Sequence, residues 1–187
     1  REYPMAQPQN GWAEQDPKDW WNAAVSTIKT VLAKSGVCKD DVVSLGISGQ
    51  MHGLVALDEN NEVIRPAILW CDQRTQKQCD WITEKAGGLN KLLTYTNNRM
   101  LTGYTGGKIL WLRDEEPANF ARMKVFVCPK DYIRLKICGE VGMDVRVLKL
   151  NGAKDPDEYI KTYGADRFRR LLNVSQTGFA YKSERIY

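Results

Sequence analysis

Residues 41–74 read DVVSLGISGQMHGLVALDENNEVIRPAILWCDQR. Three apolar runs are separated by turn-forming residues, and that punctuation decides the fold class. In 41–48, Val43, Leu45 and Ile47 alternate with smaller or polar residues, the period of a half-buried strand. Residues 53–57 form a second strand, Asp58 to Asn61 a turn, and the following apolar run another strand, together a hairpin. Between the first two runs lies Ser48-Gly49-Gln50-Met51-His52-Gly53, which carries the only histidine of 187 residues.

Working outward, helices alternate with these strands. Residues 1–15 read as extended chain and turn. Asp16 is a good N-cap and Pro17 suits the first helical position, so a helix runs from there to a stop at Gly36. Trp20, Ala24, Ile28, Val31 and Leu32 fall on one face of it. DQRTQKQCDWITEKAGG (72–88) is a helix that Asp72 can cap, and Leu89–Tyr95 a shorter one. A helix from about Gly106 to Glu115 is closed by Pro117, with a further helical turn in NFARM. KVFVC is a short strand, and PKDYIRLKICG a helix ending at Gly139. Helix and strand alternation of this kind implies a layered α/β fold.

The totals exclude several classes. Hydrophobic content of 43% and charged content of 27% are ordinary for a globular chain. Nothing approaches the roughly 18 apolar residues of a membrane span, and the first residues lack the apolar stretch of a signal peptide. Cys38, Cys71, Cys79, Cys128 and Cys138 are odd in number and contain no CxxC, which argues for reduced thiols in a cytoplasmic protein and against zinc. The net charge of +4 sits mostly in residues 141–187, with nine Lys and Arg against six Asp and Glu. No basic block marks a nucleic-acid face, so nucleic acid is not an expected partner.

Four motifs carry candidate chemistry. TGYTGGK (102–108) is one residue short of phosphate-loop spacing, and Ile109 follows Lys108 where Ser or Thr is needed. It reads as a flexible turn feeding a helix N-terminus. GQMHG (49–53) lies at a strand end, and its glycines allow a ligand close to the backbone. His52 there either hydrogen-bonds a ligand hydroxyl or is a solvated turn residue; it has no Ser or Cys partner for nucleophilic catalysis. In LWCDQR (69–74), Asp72 and Arg74 either reach a polyol together or serve as an N-cap and a surface cation. KDPDEY (154–159) is a helix start enriched in acids, with a divalent-metal site as the second reading.

Taken in order, GWAEQDPKDWW, GISGQMHGLVALDENNEVIRPAILWCDQR, GYTGGKILWL and FVCPKDYIRLKICGE resemble the xylulokinase branch of the FGGY carbohydrate kinases, over about residues 1–140. The resemblance implies a partial ribonuclease H/actin-like domain with a mixed sheet and flanking helices, followed by a short strand-helix-helix tail. It implies transfer of the ATP γ-phosphoryl group, with Mg²⁺, to a sugar, D-xylulose giving D-xylulose 5-phosphate. The Met-His pair that lines the sugar site of this branch maps onto Met51 and His52, beside Gln50. Asp72 and Arg74 match the family's W-x-D-x-R junction near the same cleft, with Trp70 as an aromatic surface. A small-molecule sugar is therefore the expected partner.

The departures matter as much. The family's D-x-G-T hairpin, its catalytic Asp and its ATP-binding second domain lie outside this span, so no catalytic residue is assigned. The chain alone is expected to be inactive and not to hold ATP and Mg²⁺ fully. A missing kinase domain supplied in trans and a homo-oligomer both stay open, as does a purely structural or binding fragment. The tail departs from the kinase pattern. About residues 141–173 resemble the far end of the Toprim domain of bacterial DNA primases, in which a strand leads to a DPDEY-type loop and a helix ending at Gly. The acidic metal ligands of that family are absent. The resemblance implies domains of 1–140 and 141–187, a seam at GEVGMDV, and a nucleic-acid enzyme fragment as the alternative function.

Overall fold

Asp16 and Gly36 bracket the first long helix, as their capping chemistry requires. The computed structural model describes residues 1–42, 44–141, 146–147, 152–153, 156–173 and 176–177. Glu14–Gln15 form strand β1 and Pro17–Ser35 form helix α1. The Asp16 carboxylate accepts the Lys18 N–H at 2.9 Å, and Gly36 closes the helix at φ 69°. Trp20 is buried and its indole N–H donates to Gln15 Oε1 at 2.9 Å. Only the first half of the expected apolar face is covered, because Ile28 and Val31 are exposed.

The hairpin is built on β2 (Val55–Leu57) and β3 (Ala67–Ile68). Asp58 makes the turn, its Oδ1 accepting the N–H groups of Asn60 and Glu62 at 2.9 and 3.0 Å. Bridges from Leu57 to Val63 and from Leu54 to Ile68 tie the two arms. β1 pairs antiparallel with β3, Glu14 opposite Ile68. β4 (Val125–Val127) pairs antiparallel with β2, Val55 opposite Val127.

Leu54, Val55, Ala56 and Leu57 are each at most 2% exposed. Alternate residues serve two cores. Val55 and Leu57 pack with Ala13, Trp20, Leu69 and Tyr132. Leu54 and Ala56 pack with Ile68, Trp111 and Leu112. A strand covered on both faces reads as a continuous apolar run, which is what LVAL is. The helices that follow are α2 (Gln76–Lys85), α3 (Leu89–Thr96), α4 (Thr105–Glu115) and α5 (Pro117–Arg122), of which α4 and α5 pack on the second core. α6 (Pro129–Val141) runs past Gly139, where a stop was expected.

Two further expectations need correction. Residues 44–50 join no ladder, Lys39–Asp41 make a single 3-10 turn, and Val43 lies outside the described residues. An extended segment holds as a strand only when a neighbour pairs its N–H and C=O groups, and no described strand lies beside this one. Asp72 does not cap α2 either; Thr75 stands at that position, and the Asp72 carboxylate is engaged elsewhere.

The chain divides into two compact units, Arg1–Lys136 and Ile137–Tyr187. Within the second, β5 (Arg146–Val147) pairs antiparallel with β6 (Gln176–Thr177). Residues 142–145 and 148–150, where the strand of the expected strand-helix-helix tail falls, lie outside the described residues. α7 (Pro156–Tyr163) and α8 (Ala165–Asn173) flank Gly164 at φ 84°, a glycine break between helices. Tyr159 is buried, its ring 4.8 Å from that of Tyr163 and 6.1 Å from that of Phe168. Lys154 and Asp155 of the acidic run lie outside the described residues. Among the described residues no helix is long and apolar enough to cross a membrane.

Candidate functional site

The turn that carries His52 opens onto a cleft of about 280 Å³, lined by Gly49, Gln50, Met51, His52 and Trp70. Four of the six residues singled out from the sequence are therefore brought together. The glycines have a packing role as well. A Cβ on Gly53 would stand 2.7 Å from Pro129 Cγ, and one on Gly49 3.3 Å from Lys130 Cβ. They let the start of α6 pack against the turn, and Gly49 also lines the cleft.

His52 has φ 61°, and the Gly53 N–H donates to the Met51 carbonyl at 2.8 Å. That is a γ-turn with positive φ at its centre, a strained conformation for a residue with a side chain. Several contacts hold it. The imidazole packs on Tyr104, ring centroids 4.7 Å apart. The His52 carbonyl accepts from Thr105 Oγ1 at 3.2 Å and from Lys108 Nζ at 2.7 Å. Lys108 Nζ donates also to the Gly103 carbonyl at 2.6 Å. A Cβ on Gly103 would lie 2.6 Å from the Trp70 carbonyl oxygen, so only glycine lets this turn approach the other wall so closely. The glycine-rich stretch is thus a packed junction between the walls.

The cleft offers an exposed thioether, with Met51 66% exposed, and an exposed indole, with Trp70 58% exposed. It also offers one imidazole and one amide. Gln50 Oε1 is buried and has no hydrogen-bond partner. Buried acceptors are nearly always satisfied, so this orphan on a cleft-lining residue is an acceptor that a ligand hydroxyl can use once the Gln50 side chain turns toward the cleft. An apolar wall with a few polar arms suits a small polyhydroxylated molecule.

Asp72 and Arg74 do not line this cleft. Asp72 is fully buried; its Oδ2 accepts the Ala13 N–H at 2.6 Å, and its Oδ1 the N–H and Nε–H of Arg74, both at 2.9 Å. Arg74 Nη2 reaches Asp72 Oδ2 at 2.7 Å, and its Nη1 lies 2.7 Å from Glu14 Oε1. The guanidinium stacks 3.7 Å from the Trp12 ring and 4.8 Å from that of Trp111. Arg65 joins the network through Glu14 and Glu116. These groups lock the segment after Trp70 onto β1.

Sequence reading missed Lys108, which is fully buried with Trp111 and Leu112. The signal was present: positions 108, 111 and 112 share one helical face, and a lysine on a core-facing stripe is unusual. Burial pulls its ammonium down to about 8, with the Asp72 charge opposing that shift.

The sequence profile of the N-terminal domain of the FGGY family of carbohydrate kinases matches residues 1–147. The chain belongs to the FGGY family. The xylulose kinase of Bacillus subtilis is 42% identical over 141 residues, 75% of this chain and 28% of that protein. The chain thus spans under a third of the length of such relatives. A xyloylose kinase from Brucella ovis superposes with a TM-score of 0.67 at 34% identity, over 72% of this chain and 27% of that one. A gluconate kinase from Lactobacillus acidophilus does so at 0.61 and 25%, over 73% and 27% respectively. The first unit is accordingly a partial actin-like domain of the sugar-kinase type. This FGGY match runs past residue 140 to 147, and none of these similarities supports a primase reading of the tail.

Proposed function

We propose that this chain carries the sugar-contact wall of a xylulose kinase and performs no phosphoryl transfer alone. The observation that carries the reading is the unpartnered Gln50 Oε1 beside His52, Met51 and Trp70 in one cleft. In this reading a ketopentose hydroxyl donates to Gln50, His52 hydrogen-bonds a second hydroxyl, and Met51 and Trp70 cover the carbon chain. Asp72 and Arg74 support the Trp70 wall from behind. The names of the relatives favour D-xylulose among sugars, and five free cysteines favour the cytoplasm.

ATP and Mg²⁺ belong to the reaction of the whole family, and the described residues do not fit them. Among the described residues, no group of three or more His, Cys, Asp or Glu side chains is gathered to hold a metal. The lysine of the glycine turn is spent on two carbonyls. No step of phosphoryl transfer is therefore assigned to this chain. For the tail, read from the sequence as 141–187, we propose a separate origin; continuous genomic reads across Gly139–Val145 within an intact kinase gene refute a join.

Titration with D-xylulose, read by tryptophan fluorescence, tests the sugar wall. Saturable quenching that is lost in W70F and not produced by gluconate supports it. No change, or equal response to both sugars, overturns the xylulose assignment. A coupled ATP/xylulose assay showing turnover by the purified chain overturns the proposed inactivity.

A further inference from the structure

Lys108 is fully buried, yet among the described residues no carboxylate oxygen lies within ion-pair distance of its ammonium. Burying a charge this way is costly, and an apolar side chain of the same length would fill the space more cheaply. What the ammonium does touch gives the reason. One N–H bond ends on the carbonyl of His52, the other on that of Gly103. The first residue lines the cleft; the second packs directly on the carbonyl of Trp70, another lining residue.

We propose that Lys108 is the positioning residue of the cleft, a buried clamp that holds the His52 turn in its strained form and sets its distance from Trp70. This rests on the sugar-wall reading for its purpose, but not for its geometry. The γ-turn at His52 needs an outside restraint, because a residue with φ 61° relaxes unless its surroundings hold it. Thr105 supplies a longer, neutral hydrogen bond to the same carbonyl, at 3.2 Å. The charged bond at 2.7 Å is the stronger of the two. Lys108 reaches no ligand itself; it acts through backbone carbonyls, and the imidazole of His52 is what it aims.

The sole histidine makes the test direct, since its ring signals need no assignment. In K108M of the full chain, the nuclear Overhauser contact between the His52 and Tyr104 rings should disappear. Exchange of the Gly53 amide should quicken at least about tenfold, and xylulose should bind at least about tenfold more weakly. Circular dichroism should keep its helical content. The wild-type chain provides a measurement that needs no variant: one lysine ammonium should exchange slowly and show contacts to His52 and Gly103. Wild-type ring contact and Gly53 protection in K108M overturn the clamp, whatever the sugar does. So does the lack of any ordered ammonium in the wild type. A wild-type His52 that ignores xylulose instead removes the sugar reading and leaves the clamp to be decided by contact and exchange.

Discussion

Replacing Asp72 with Ala separates a structural latch from a sugar ligand. The carboxylate is fully buried and takes four hydrogen bonds, from the N–H of Ala13 and from N, Nε and Nη2 of Arg74. Its removal strands two backbone donors and leaves the Arg74 guanidinium, 1% exposed, with Glu14 as its remaining carboxylate. Breaking one side of a buried ion pair costs about 3–5 kcal/mol. A chain of this size loses about 2–4 °C in Tm per kcal/mol, so the drop should be roughly 10 °C. D72N, which keeps an acceptor oxygen, should lose less. The double variant D72A/R74M should recover part of the loss, because the unpaired cation goes with the anion. Thermal unfolding followed by circular dichroism measures all three. The opposite pattern refutes the reasoning: a D72A chain within about 2 °C of wild type, with xylulose binding abolished, makes Asp72 a sugar contact.

Lys108 should leave a signature in the pH dependence of stability. Its folded pKa is about 8, lowered from 10.5 by burial. Between those values the unfolded chain holds the proton and the folded chain does not, so stability rises with pH across that window and the burial cost is felt in full below it. Relative to K108M, the wild type should therefore gain on the order of 3 kcal/mol between pH 8 and 10.5, measured by urea unfolding at each pH. A flat difference contradicts a buried, charged Lys108. G53A should lose about 1–3 kcal/mol, because its Cβ meets Pro129 Cγ at 2.7 Å and α6 must shift; unchanged urea midpoints argue that the turn is not packed on Pro129. Burial also raises the Cys79 thiol above its usual value, while Cys38 and Cys71 are exposed. Iodoacetamide followed by mass spectrometry should label Cys38 and Cys71 first and Cys79 last; early labelling of Cys79 contradicts the packing of α2.

What could be read from the sequence was what local chemistry decides. Asp16, Pro17 and Gly36 set α1 without help from the rest of the chain. Asp58 makes its turn through its own neighbours. The segment at 41–48 has the alternation of a strand, but a strand is a relation between two segments, and alternation says nothing of the partner. Asp72 and Arg74 show the same limit from the side of the site. Their spacing identifies the junction, yet their role depends on Glu14, Trp12 and Trp111, which are far away in sequence and adjacent in the fold. Facing a bare motif, a carboxylate and a guanidinium two residues apart look like hands held out to a polyol. In the fold, indoles cover the guanidinium and N–H groups occupy the carboxylate, and both side chains are buried away from the cleft. An unpartnered amide oxygen and the imidazole of a residue held at positive φ sit instead on the turn that carries the single histidine. The cleft is thus shaped by charged groups that never face it, which is why the motif marks its location while only the packing says which residues line it.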